Sequence, residues 1–142
     1  MGLRLKINGA ESIDLKETSI TNVKFGADIP HDSNARSTDL GSTILIEGKI
    51  LAPVNGEPAD DTLKISKWAL VPAENSDCYR DLEIKVVNAS QIVRQINVPN
   101  AFVVDYEEDF TDDTGAGVFK LLVKQKKDKM ANLKFEGGFS GE

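Results

Sequence analysis

The sequence predicts a mainly β domain, a barrel or sandwich of about eight strands with one short α-helix. Three observations carry that prediction. Apolar residues alternate with polar ones in run after run, the period of a strand with one buried face. The alternating positions are rich in β-branched and aromatic residues, which suit a pleated surface. Only one stretch replaces this period with helical spacing.

The runs follow in order. Leu3, Leu5 and Ile7 alternate with Arg4 and Lys6 ahead of an Asn8-Gly9 turn signal. Val23 and Phe25 share a face within residues 20–25, and Ile44, Ile46 and Ile50 oppose Glu47 and Lys49 within residues 43–51. Leu82, Ile84 and Val86 alternate with Glu83 and Lys85, and the pattern restarts at Gln91 with Ile92, Ile96 and Val98. Phe102, Val104 and Tyr106 make a further face, as do Phe119, Leu121 and Val123, and a short run holds Leu133 and Phe135. Strands that close on themselves also leave no exposed edge.

Residues 60–70 are the exception. Ile65, Trp68 and Ala69 fall on one helical face, and Asp60 and Asp61 precede them. A carboxylate there caps free amides and suits the positive end of the helix dipole, and Pro72 stops the run. The helix should lie across an open end of the barrel with Trp68 buried. Residues 27–42 are polar, aperiodic and longer than a loop in a compact domain usually is. Residues 52–59 read as a Pro/Gly linker.

Composition excludes several classes. The 142 residues suit one domain, 1–142, and 40% hydrophobic with 28% charged residues fits an ordered globular chain. Seventeen basic against 23 acidic residues give a net charge of −6, which argues against nucleic-acid readout. A single cysteine, Cys78, excludes an intrachain disulfide framework and a cysteine zinc site. Uncharged apolar stretches fall far short of the ~20 residues that cross a bilayer, so no membrane insertion is expected. The start has no signal-peptide core, which predicts assembly in the cytoplasm.

Catalytic chemistry is poorly supplied, and neither an enzyme nor a cofactor is expected. His31 is the only histidine, so no histidine pair exists to ligate a catalytic metal. Gly138-Phe139-Ser140-Gly141 lacks the last glycine of a nucleophile elbow. Asp105, Glu107, Glu108, Asp109, Asp112 and Asp113 are the densest candidate site. Paired carboxylates serve glycosidases, and Asp109, Thr111 and Asp113 imitate the first ligands of a calcium loop, but the glycine and glutamate such a loop needs are misplaced. Asp112-Asp113-Thr114-Gly115 suffices as a hairpin turn. Lys124, Lys126 and Lys127 form a basic counterpart to Asp112 and Asp113, which suggests charge complementarity between copies of the chain.

The order of these elements resembles the tail-tube family that includes the haemolysin-coregulated protein of type VI secretion and the tubes of contractile phage tails. Three stretches carry the likeness: the polar loop from His31 through Arg36, Asp39 and Gly41 into the strand over residues 44–50; the helix over residues 62–70; and the block from Tyr79 through Leu82-Glu83-Ile84, Val93, Asn100-Ala101-Phe102-Val103-Val104 and Phe119-Lys120-Leu121. The chain is similar over most of its length to short firmicute proteins that end in Gln125-Lys126-Lys127-Asp128-Lys129 and Phe135-Glu136-Gly137-Gly138-Phe139. Those are sometimes labelled membrane-associated proteases, a label that no protease constellation in this sequence supports. The resemblance implies a subunit that forms hexameric rings, which stack into the hollow inner tube of a contractile injection apparatus or phage-like tail. Sheath and baseplate or spike proteins are the implied partners, and a phage-like particle or an injected tube is the implied destination. It also makes His31, Asp32, Arg36 and Asp39 candidates for contact with a neighbouring subunit. The alternative function is a β-sandwich binding module that takes carbohydrate or protein on the acidic rim at 105–113.

Overall fold

A computed structural model of the chain describes residues 2–28, 41–50, 61–72, 74–112, 117–125 and 134–140. Within them lie β1 (Gly2–Asn8), β2 (Ile13–Leu15), β3 (Ile20–Asp28), β4 (Gly41–Ile50), α1 (Thr62–Ala69) and a 3₁₀ turn (Ser76–Cys78). There follow β5 (Arg80–Asn88), β6 (Gln91–Phe110), β7 (Gly117–Gln125), β8 (Lys134–Glu136) and β9 (Phe139–Ser140). The chain is mainly β, as its alternation predicts. The strand order is β2-β1-β5-β6-β7-β4-β3, with β8 and β9 added along β6.

β6 turns this one antiparallel sheet into two layers. It is a single strand of 20 residues, where the sequence reads as two runs. Residues 91–101 pair with β5 and residues 101–110 with β7, and Ala101 pairs with both Arg80 and Gln125. β5 and β7 therefore flank β6 on opposite sides, offset along its length. The corner lies at Pro99–Asn100. Asn100 takes a φ of 57°, a left-handed conformation that asparagine tolerates better than most residues. Its N–H donates to Asp81 Oδ1 at 3.0 Å, and the Pro99 carbonyl accepts from Gln125 Nε2 at 3.1 Å. Side chains thus satisfy backbone groups at the corner, and the strand bends instead of ending.

One layer holds β2, β1, β5 and the first half of β6, edged by β8 and β9. The other holds β3, β4, β7 and the second half of β6. Leu5, Ile7, Leu82 and Ile84 of the first layer share a core with Ile44, Ile46, Leu121 and Val123 of the second. α1 packs across β2 and β6 and buries Ile65 and Trp68 completely.

Three expectations are corrected. Asp61 stands at the N-cap of α1 but makes no capping hydrogen bond. Its Oδ2 instead accepts from the Asp14 N–H at 2.8 Å and its Oδ1 pairs with Lys64 at 3.3 Å, so a link to β2 replaces the cap. The ends of the expected loop over residues 27–42 are strand, with Ala27 opposite Ser42 and Asp28 opposite Gly41. Backbone pairing outruns the side-chain alternation there. Residues 29–40 lie outside the described residues. β2 and β9 were not expected, because three and two residues are too few to show a period.

Candidate assembly interface

Among the described residues, β3 and residues 102–110 of β6 are the outer strands of the layer β3-β4-β7-β6. Among the described residues β3 pairs only with β4, and residues 102–110 of β6 pair only with β7. An outer strand of a sheet is a template for another strand. The margins differ in charge. The β6 margin carries Asp105, Glu107, Glu108 and Asp109, all exposed, whereas β3 carries Lys24 midway. The acidic β6 margin repels a second β6 margin, whereas the β3 sequence holds one basic residue, Lys24, and one acidic residue, Asp28.

The outward face of this layer is polar because its inward positions alternate into the core, as in the β7 run where Phe119, Leu121 and Val123 are buried. Its rows cross all four strands. Lys24, Leu45, Leu122 and Asp105 form one row. Asn22, Glu47, Lys120 and Glu107 form the next, tied where Asn22 Nδ2 donates to Glu47 Oε1 at 3.1 Å. Lys49, Val118 and Asp109 continue it on one side, and Thr43, Lys124 and Phe102 on the other. Unlike signs neighbour one another across the strands, while Asp105, Glu107 and Asp109 run alike along β6.

Register sets the acidic cluster along one strand edge. Asp105, Glu107 and Asp109 fall in successive outward rows, each step roughly 7 Å along the strand. Glu108 stands opposite Phe119 on the other face and accepts from the Tyr106 hydroxyl at 2.6 Å. The carboxylates are strung along an edge and split between two faces. Among the described residues no group of three or more His, Cys, Asp or Glu is placed to hold a metal ion, and no helix is long and apolar enough to cross a membrane.

Asp112 and Lys124, two of the residues predicted from sequence, are exposed at opposite ends of the β6–β7 hairpin. Gly117 to Lys124 alone spans roughly 23 Å of strand. One end of the layer is acidic and the other ends on Lys124, which sits opposite Thr43 on β4. The strands flanking residues 29–40 therefore end beside Lys124 in the same subunit. Asp113, Lys126, Lys127, His31, Asp32, Arg36 and Asp39 lie outside the described residues. The sequence reading missed the part played by Lys24, Glu47, Lys120 and Glu107, whose shared face is set by cross-strand register. It also missed the buried pair Gln125 and Ser42, where Ser42 Oγ donates to Gln125 Oε1 at 3.5 Å below the corner of β6.

No family model and no curated protein matches the sequence. The fold is another matter. The chain superposes on Hcp1 from Flavobacterium johnsoniae with a TM-score of 0.54 at 16% identity, covering 98% of this chain and 99% of that one. A chain of the anti-feeding prophage baseplate gives a TM-score of 0.57 at 10% identity, covering 96% and 93%. A chain of the PVC sheath–tube complex, an extracellular contractile injection system, gives 0.54 at 14% identity, covering 96% and 89%. Over nearly its whole length, the chain has the fold of the Hcp-like tail-tube proteins.

Proposed function

We propose that the chain is a structural tube subunit, one domain over residues 1–142, that closes into hexameric rings stacked as the hollow inner tube of a contractile injection apparatus or phage-like tail. The observation that carries this reading is the four-stranded layer whose outer strands among the described residues are β3, with Lys24 midway, and the acidic residues 102–110 of β6. β3 of one copy pairs with residues 102–110 of the next, and Lys24 faces the acidic margin. A heterologous contact of this kind closes into a ring when its rotation allows.

Geometry then decides which face lines the bore. Six copies give about 24 strands at ~4.8 Å spacing, a cylinder roughly 37 Å across before strand tilt widens it. A second layer packed ~10 Å further in would need about 115 Å of circumference where roughly 50 Å is available. The layer with β1, β2, β5 and α1 must therefore lie outside. The polar face with Lys120 and Glu107 lines the bore. Rings stack acidic end to basic end, Asp112 and Asp113 against Lys124, Lys126 and Lys127, while His31, Asp32, Arg36 and Asp39 meet a neighbouring subunit. Sheath and baseplate or spike proteins are the partners this reading implies, the first two by analogy with the assemblies that hold the similar folds.

Sedimentation velocity with negative-stain imaging of the purified protein tests the reading. Rings at micromolar concentration are expected, and Lys24→Glu should yield folded monomers by circular dichroism because it sets a carboxylate against the acidic margin. A monomer for the unaltered protein across concentration and salt would overturn it.

A further inference from the structure

We infer, on the tube reading above, that the bore is a charge-balanced conduit that admits extended polypeptide of either sign and does not hold duplex DNA. The inference rests on the charge pattern of the outward face of β3-β4-β7-β6. Its described side chains include Lys24, Lys49, Lys120 and Lys124. Against these four cations stand four carboxylates, Glu47, Asp105, Glu107 and Asp109.

Balance alone would permit a cationic belt beside an anionic one. The register mixes the signs in three of the four rows. In the row Asn22, Glu47, Lys120, Glu107 the sign changes from strand to strand, and Lys24 and Asp105 close opposite ends of the next row. Along β7 the outward residues run Val118, Lys120, Leu122 and Lys124, so apolar positions separate the charges. Sixfold repetition turns three of the four rows into circles of both signs, and the fourth, Gly26, Thr43, Lys124 and Phe102, carries Lys124 alone at one end of the wall.

A side chain of either charge in such a bore finds an opposite partner within about 5–10 Å, since neighbouring strands lie ~4.8 Å apart and outward residues ~7 Å apart. Leu45 and Leu122, both half-buried, give the polypeptide apolar footing between the charged positions. Duplex DNA carries one negative charge per ~1.7 Å of its axis and is held when cations replace its counterions. This wall matches every described lysine with a carboxylate and offers no net replacement.

Tubes assembled with gold-labelled oligolysine, oligoglutamate or a short DNA duplex, imaged by cryo-electron microscopy, read this out as bore density relative to bulk. Both peptides should enter with occupancies within about threefold of each other, and the duplex should be depleted at least about tenfold. Lys49→Glu/Lys120→Glu makes the wall acidic, and its tubes should exclude oligoglutamate at least about tenfold while keeping oligolysine. Unaltered tubes that select one peptide tenfold, exclude both, or fill with DNA would overturn the inference and leave the tube reading standing. Absence of tubes from the unaltered protein would overturn both.

Discussion

Trp68 shows how much of this fold hangs on single side chains. It is 1% exposed, donates its indole N–H to the Cys78 carbonyl at 3.0 Å, and lies under the Arg80 guanidinium at 5.5 Å from the ring centroid. Trp68→Ala should cost about 3–5 kcal/mol, as for other large core aromatics. Urea unfolding reads this as a lower midpoint at unchanged slope, and the native tryptophan should emit blue-shifted. Red-shifted, easily quenched emission would show a solvent-facing ring. Arg80 is itself 5% exposed, its Nη1 has no hydrogen-bond partner among the described residues, and its Nη2 pairs with Asp77 Oδ2 at 2.7 Å. The Arg80 hydrogen bond holds the Asp77 carboxyl below its usual range, with the Ala10 N–H pulling the same way and burial opposing them. A pKa lowered on folding adds stability that is complete above the unfolded value and is lost as pH falls below it. Asp77→Asn should therefore weaken the protein at neutral pH, and the gap to the unaltered chain should narrow towards pH ~3, below the ordinary aspartate value near 3.9. Urea midpoints at both pH values check this. A gap that does not change with pH would show the ion pair contributes nothing.

Among the elements, the turns decide what the sequence reveals. Ala89 and Ser90 join β5 to β6 with φ of 51° and 64°, the mirror-image turn that asparagine and glycine favour. Ser90→Gly relieves a left-handed strain and should stabilise by about 0.5–1 kcal/mol, visible as a raised melting temperature. An unchanged or lower value would mean the turn is not strained. Asn100→Val should act the other way, costing about 1–2 kcal/mol because a β-branched residue resists φ near 57°. The same corner marks where legibility stops. Runs such as Leu82, Ile84, Val86 and Phe119, Leu121, Val123 are readable because each strand carries its own period. Pro99-Asn100 reads locally as a break, yet the strand continues there because Asp81 and Gln125, distant in sequence, satisfy the freed groups. Likewise Asp105, Glu107 and Asp109 are visible in sequence as an acidic stretch. That Lys24, Glu47 and Lys120 share their face follows only from register across four strands.

In the proposed tube, the two margins of the layer serve lateral contacts and its two unlike ends axial ones. Axial contacts between exposed charges weaken as salt shortens the Debye length to ~3 Å at 1 M. High salt should therefore shorten tubes more than it dissolves rings, and Asp112→Lys/Asp113→Lys should give rings that stack poorly by negative-stain imaging. Tubes of unchanged length in salt would place the axial contact elsewhere. The central claim is the lateral one, that β3 and residues 102–110 of β6 join neighbouring copies into one continuous barrel. A cryo-electron microscopy reconstruction of the assembled protein tests it most directly. The expected map shows sixfold rings with β3 hydrogen-bonded to β6 of the next copy and Lys120 and Glu107 facing the bore. A map in which both margins stay open to solvent, or in which α1 faces the axis, would contradict it.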